Sequence, residues 1–302
     1  MPSRHLIVTA DDFGLSPGIN AGVVLAHRQG ILTSASLLAT APFAEAAASL
    51  ARENPGLDIG VHLNLVRGKP VLPPASLPNL VDRDGAFRLF RWRHLSPAFL
   101  GEAEREYRAQ IEKSLSLGLV PSHLDFEKHH AWQAGLYRLA SDLAREYGIG
   151  GIRNLAEPLG WSLRHGNWPG WRRLVMSLAL RSGVLLARHS TAPGLLRPEH
   201  FLGQLHIGQL NQEAWLKIIP HLPPGISEVM THPGQREKDS NPPSLGWLGE
   251  HREVELSALL SPAVKRAIES NFVRLVGYRD LMPSRLEQVD SSQTGKPVFL
   301  DR

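Results

Sequence analysis

Short apolar runs, each closed by polar or turn residues and followed by a helical repeat, set the pattern of the N-terminal part of the chain. The run Ile7-Val8-Thr9-Ala10 ends in Asp11 and Asp12, and Gly14 follows where the chain must turn. From Pro17 to Gln29 the apolar residues Ile19, Val23, Val24 and Ala26 recur near helical spacing, and Gly30 closes the helix. Ser34 to Ala39 predicts a short strand. Phe43 to Glu53 predicts an alanine-rich helix stopped by Asn54-Pro55-Gly56, and Leu57 to Leu65 a buried strand. Three βα-type units within about 60 residues, joined by short connections, predict a parallel sheet or barrel.

The pattern breaks from Val66 to Ser96, where Pro70, Pro73, Pro74, Pro78 and the turn Asp82-Arg83-Asp84-Gly85 mark a long loop. Loops of that length inside compact domains usually carry function. Phe99 to Leu117 reads as a helix whose alternating charges, Glu102 to Lys113, form a solvated face. The stretch Pro121 to His130, read as a strand, puts His123, Asp125, Glu127 and His129 on one face. A helix from Leu136 to Tyr147 and a strand from Gly148 to Arg153 follow. Pro158 to Arg197 is different: it carries Trp161, Trp168, Trp171 and an apolar run, Leu174 to Ala187, interspersed with arginines. It reads as an inserted helix packed on the barrel or in a homodimer contact, in preference to a surface that accepts a lipid-linked substrate or sits on a membrane interface. His206 and Gln209 fall in a segment without pattern. Asn211 to His221 predicts a helix capped by Asn211, and Gly225 to His232 a strand stopped by Pro233-Gly234. Pro242 to Trp247 is a loop, Arg252–Leu260 and Pro262–Glu269 are helices, and Phe272 to Val276 is a last strand. The expected architecture is α/β: a distorted single-domain β/α barrel over residues 1–283, with a helical insertion at about 158–197. The polar tail 284–302 shows no pattern and is expected to be disordered.

A 42% hydrophobic content supports a full core, and the absence of cysteine excludes disulfides, thiolate zinc sites and cysteine nucleophiles. The net charge of +4 is modest and no nucleic-acid partner is expected. No apolar stretch reaches the length of a membrane span. With no signal-peptide pattern at the N-terminus, a soluble, cytoplasmic protein is expected.

Strand ends that deliver polar residues just before a helix are where parallel α/β folds place chemistry. Asp11 and Asp12 stand at such an end, although either also suits a helix cap. Neighbouring side chains on a strand point to opposite faces, so the pair divides its tasks, one at a metal and one at a proton. His62 ends the third strand and shares its face with Asn64. Histidine and carboxylate groups without cysteine suit zinc, iron, manganese, cobalt or nickel, and magnesium where oxygens dominate. Arg153 ends another strand, either to orient a sugar or acyl oxygen or as a structural ion pair. His232, on a strand end before a rigid turn, suits a general acid.

Thr9-Ala10-Asp11-Asp12-Phe13-Gly14, Gly60-Val61-His62-Leu63-Asn64-Leu65, His123-Leu124-Asp125 with the histidines after it, and Thr231-His232-Pro233-Gly234 together resemble the YdjC-like carbohydrate deacetylases. These include chitooligosaccharide deacetylases and deacetylases associated with hopanoid glycolipid synthesis. The resemblance covers most of residues 4 to 282 and implies a distorted β/α barrel with one divalent metal, acting on N-acetylated amino sugars of oligosaccharides or glycolipids. By it, Asp12 and His62 are metal ligands, Asp11 is the general base, and protonated His232 is the general acid. Arg153 and Asn64 are candidate substrate contacts. The family's third ligand is a histidine where this chain has Glu127, so Glu127 is expected as ligand, in preference to His129. Two carboxylates and one imidazole shift preference toward magnesium or manganese and away from zinc. That departure leaves two alternatives open: a non-catalytic carbohydrate- or glycolipid-binding protein, and a metal-dependent hydrolase of another ester class.

Overall fold

Eight parallel strands form one sheet: β1 (Arg4–Phe13), β2 (Ser34–Leu37), β3 (Asp58–Leu63), β4 (His123–Phe126), β5 (Gly151–Ile152), β6 (His200–Leu202), β7 (Gly225–Thr231) and β8 (Val273–Leu275). The computed structural model describes residues 3–88, 96–165, 170–171, 174–175, 177–178, 180–182, 194–236 and 251–282. The strand order is β5-β4-β3-β2-β1-β7-β6. One edge of β1 pairs with β7 along Arg4–Ala10; the other serves two partners, β8 at Arg4–Leu6 and β2 from Thr9 onward. That double use splays the sheet. On the far side the curl tightens, because Gly151 bridges Leu196 in parallel and the Ile152 N–H donates to the Leu196 carbonyl at 2.9 Å. The result is the distorted β/α barrel expected. β6 went unpredicted, since three residues are too few for alternation to show.

Serine caps start the helices where the sequence offers Ser-Pro. Ser16, Ser96 and Ser261 each accept a first-turn N–H, and the following prolines begin α1 (Pro17–Gln29), α3 (Pro97–Ser116) and α8 (Pro262–Ser270). The others are α2 (Ala44–Arg52), α4 (Ala134–Glu146), α5 (Leu159–His165), α6 (Gln212–Ile218), capped by Asn211 as expected, and α7 (Arg252–Leu260). The solvated face expected of α3 needs correction. Glu102 and Glu106 are buried: Glu102 accepts from Asn79 and Leu80, and Glu106 from the Val71 and Leu72 N–H groups, so both hold the long loop after β3 against the helix. Trp168, the Pro242–Trp247 loop and the tail 284–302 lie outside the described residues.

Alternation along the strands sorts the side chains. Apolar residues facing outward pack under the helices in two large clusters, one around Leu6, Val8, Ile19 and Trp215, the other around Leu124, Phe126, Tyr107 and Tyr137. Inside the barrel, Ile7, Val276 and Tyr278 form a small apolar plug. Above it the lining is polar: Thr9, Asp11, Ser36, His62, His123, Asp125, Arg153 and Glu228, all buried. His123 is part of that lining rather than of a site. Its ring stacks on Tyr278 at 4.0 Å, in space that Gly60 leaves open, since a Cβ at Gly60 would lie 2.4 Å from the ring.

One close approach ties the helices to the rim. A Cβ on Gly22 of α1 would meet Gly234 Cα at 2.6 Å, in the turn after β7. Gly22→Ala should therefore lower stability by about 1–3 kcal/mol by pushing the helix off that turn; an unchanged urea midpoint would contradict this packing.

Candidate metal and proton-transfer site

Both acids at the end of β1 face the site because the strand is irregular there. Its register against β2 shifts between Ala10 and Phe13, and Asp12 takes a left-handed φ of 67°. Such a conformation is costly for a residue with a side chain and clusters at functional sites. The kink replaces the plain alternation expected of the pair and gives each carboxylate its own set of partners. Asp11, His62 and Asp125 form one buried triad; Asp12, His62 and Glu127 form another. His62 belongs to both.

In the inner triad His62 Nδ1 lies 2.8 Å from Asp125 Oδ1. Arg153 grips Asp11 with two bonds, 2.8 and 2.9 Å, and reaches Asp125 at 2.7 Å and Glu228 at 3.0 Å. Ser36 donates to Asp125 at 2.6 Å, while Thr9 and Tyr278 donate to Glu228. Burial pushes the Asp11 carboxyl up to about 7 against the opposing pull of Arg153. Asp125 feels the same burial, but Arg153 and His62 hold it well below the usual carboxylate range.

In the outer triad His62 Nε2 faces Glu127 Oε2 at 3.0 Å. Arg67 Nε donates to Glu127 at 2.6 Å and its Nη2 lies 3.3 Å from Asp12, while Arg252 bonds the other oxygen of Asp12. Burial disfavours the charged carboxylate of Asp12, yet Arg252 and Arg67 overcome it and keep Asp12 ionised. For His62, burial is outweighed by Asp125 and Asp11, which raise its pKa well above the ordinary value, so the ring is held as an imidazolium between two carboxylates.

Glu127 rather than His129 joins Asp12 and His62. The reason is local. β4 ends at Phe126, and the tight turn Glu127–Trp132 has Lys128 and His129 at left-handed φ of 49° and 51°. The strand alternation expected through His129 stops there, and the His129 ring packs edge-on to Phe201 at 5.6 Å. His232 stands at the end of β7, its N–H bonded to Glu255 at 2.6 Å and its Nδ1 3.9 Å from the same carboxyl. Burial presses His232 down to about 3, against the opposing pull of Asp12 and with Arg252 adding to it, so the ring is neutral at neutral pH. Glu255, buried, is pushed up to about 7.

The two candidate substrate contacts sit elsewhere in the network. Arg153 is buried and its donors lie on Asp11, Asp125 and Glu228, which is the ion-pair reading. Asn64 is buried too: Oδ1 accepts from the Val66 and Arg67 N–H groups, and Nδ2 donates to Thr40 and to the Arg67 carbonyl. It shapes the turn that presents Arg67. Sequence reasoning missed Arg67, Arg252, Glu228 and Glu255. Arg252 touches Asp12 across 240 positions, and no local pattern announces such a contact. Beside Arg67 opens a cavity of about 260 Å3 lined by Leu15, Leu38, Thr40, Pro42, Arg67 and Lys128 among others.

Asp12, His62 and Glu127 fit a divalent cation by donor chemistry: each offers an oxygen or imidazole nitrogen, and the three atoms lie within 4.8 Å of one another. Asp125 on the opposite ring nitrogen is the partner that metal-binding histidines usually have. Among the described residues, His129 Nδ1, His232 Nδ1, and Nε and Nη1 of Arg252 are buried without a hydrogen-bond partner. Buried polar groups are normally paired, so these unpartnered atoms beside the triads are ones a bound ligand would satisfy.

Comparison with known proteins finds a family model and relatives that cover nearly the whole chain. The model of the family described as YdjC-like protein matches residues 5–270. A Listeria monocytogenes protein named carbohydrate deacetylase is 33% identical over 280 residues, covering 91% of this chain and 99% of its own. A Geobacillus stearothermophilus protein of the same name is 31% identical over 278 residues, covering 92% and 98%. A crystal structure of a proposed cellobiose-phosphate cleavage protein from Enterococcus faecalis superposes with a TM-score of 0.73 at 27% identity, covering 93% of this chain and 100% of that one.

Two outcomes follow from the charges. Arg153→Met should cost about 3–5 kcal/mol in chemical denaturation, because it strands buried carboxylates; a loss under 1 kcal/mol, the size of an exposed pair, would contradict the hub role. A cation competes with the proton on His62, so binding should release a proton and tighten as pH rises. Calorimetry in buffers of different ionisation heat reads that directly, and a buffer-independent heat would contradict it.

Proposed function

The chain belongs to the YdjC-like protein family, and we propose that it is a metal-dependent carbohydrate N-deacetylase that removes the acetyl group from an N-acetylated amino sugar of an oligosaccharide or glycolipid. Relatives named carbohydrate deacetylase support the activity. The two triads that share His62 carry the metal-dependent part of the reading.

Asp12, His62 and Glu127 would hold a divalent cation, which when bound would supply Lewis acidity toward the amide carbonyl and water beside it. The remaining work falls to the protein's own groups. Asp11 accepts the water's proton on a carboxylate oxygen, and a pKa near 7 suits that exchange at neutral pH. Arg153 holds the Asp11 carboxylate in one orientation, and Asp125 does the same for the His62 ring. His232 hands a proton to the leaving amine. Because it is neutral at rest, it gains that proton inside the site during turnover, and Glu255, 3.9 Å from Nδ1, is a group able to hold one near neutrality. The cavity beside Arg67 takes the sugar, its apolar wall meeting ring carbons and its hydroxyl and cations meeting polar substituents. With two carboxylates and one imidazole, the shell favours magnesium or manganese.

Arg67 and Arg252 already neutralise Asp12 and Glu127, and this favours one second reading, a carbohydrate-binding protein without catalysis. Acetate release from N-acetylated chitooligosaccharides, measured with magnesium, manganese and zinc in turn, separates the two. The deacetylase reading expects metal-stimulated acetate, lost on chelation. Saturable sugar binding with no acetate under any metal would favour the other. Asp11→Asn should lower kcat by about 10²–10⁴-fold at unchanged metal content. As the base works only when deprotonated, kcat/KM should rise with pH through about 7 and level off above; a flat profile would remove Asp11 from that role. Glu127→His should raise zinc affinity without abolishing activity.

A further inference from the structure

Between Glu157 and Glu199 the chain has no acidic residue but six arginines: Arg164, Arg172, Arg173, Arg181, Arg188 and Arg197. The formal charge of the whole chain is +4, so this segment holds more than the entire excess and the remainder is net acidic. Three of the seven tryptophans, Trp161, Trp168 and Trp171, lie in the same segment. Neither feature serves the candidate site.

The described residues between Trp171 and Ser182 are helical. Ser177 and Leu180 are buried, whereas Trp171, Val175 and Leu178 are 73%, 63% and 50% exposed. At about 100° per residue these three fall within about 60° of arc, a single stripe on the side away from Leu180. Arg181 is exposed on its flank. Single exposed apolar residues are ordinary on protein surfaces. Three in line, within a stretch emptied of acids, mark an interaction face.

The segment starts at the rim that bears the candidate site and runs through α5 to the other end of the barrel, where His221 precedes the first residue of β7. It leaves the C-terminal end of β5 through α5, where Trp161 donates to the His221 carbonyl at 2.8 Å and His165 stacks on His221 at 4.1 Å. Glu157 ties its start to the loop after β6, accepting from Ser162 at 2.7 Å and from the Leu205 N–H at 2.8 Å.

We propose that the exposed stripe Trp171, Val175 and Leu178 is a lipid-docking surface that seats the protein peripherally on an anionic bilayer. Trp171, Val175 and Leu178 enter the boundary between headgroups and acyl chains, and the exposed Arg181 on their flank meets lipid phosphate, within a segment whose sequence is net positive. Charge chooses this occupant. A second copy of the chain would bring one acid-free, arginine-rich segment against another, whereas an anionic headgroup layer complements it. The attachment is peripheral; among the described residues no helix is long and apolar enough to cross a membrane.

Co-sedimentation of the full-length protein with phosphatidylglycerol-containing and pure phosphatidylcholine vesicles tests this. Binding to the anionic vesicles alone is expected, weakening as salt rises. The variant Trp171→Ser/Val175→Ser/Leu178→Ser should bind at least about tenfold more weakly, with an unchanged melting temperature. Should that variant fail to fold, Arg181→Glu, one exposed change, should also weaken binding measurably. Wild-type protein that ignores anionic vesicles at low salt would overturn the proposal. So would vesicle binding untouched by both variants, which would place the contact elsewhere. A lipid-free wild-type dimer that the triple variant converts to monomer would also overturn it, assigning the stripe to a second copy.

Discussion

A single buried guanidinium has to balance three carboxylates inside the barrel. Arg153 bonds Asp11, Asp125 and Glu228, and all four groups are shielded from water. Buried charges persist only when paired and hydrogen-bonded, and here the supply of positive charge is short. Only His62 adds to it, by becoming an imidazolium. The shortage falls on Asp11, the carboxyl pushed up toward neutrality, while Asp125 stays ionised. The same imbalance that makes the interior demanding to fold thus tunes one group for proton exchange.

The outer triad repeats the theme with different cations. Arg67 bonds both Asp12 and Glu127 and Arg252 bonds Asp12, and each is delivered by structure far from the acids. Asn64 builds the turn behind Arg67, and Glu102 and Glu106 of α3 pin the loop that continues from it. Arg252 begins α7 and its side chain passes over Gly234, beside the turn that carries His232. Loop, helix and turn therefore converge on one carboxylate, Asp12, whose strained backbone is the local cost of turning both acids of β1 toward the site.

Much of this was legible from residue order. The strand ends at Asp11–Asp12, His62 and His232 reach one rim because parallel βα units always present the same end of each strand there. Glu127 was legible as a ligand candidate only through the family pattern. Its real placement depends on a turn with two left-handed residues, and no periodicity encodes that. Strand alternation places His129 on the face of Glu127, but β4 stops at Phe126 and the turn sends the His129 ring onto Phe201. A strand-end arginine looks alike as a sugar contact or an ion pair, and no local pattern shows that Arg153 is buried among three acids. His232 looked like a ready acid from its unperturbed pKa, and only its burial beside Arg252 reveals a neutral ring.

The central claim is a division of labour across His62, with the metal on the side of Asp12 and Glu127 and the proton on the side of Asp11. Anomalous scattering from manganese-soaked crystals tests it most directly. The account predicts one peak about 2 Å from oxygens of Asp12 and Glu127 and from Nε2 of His62, with Nδ1 still on Asp125. A peak lodged between Asp11 and Asp125, or none while Arg67 still bridges Asp12 and Glu127, would contradict it.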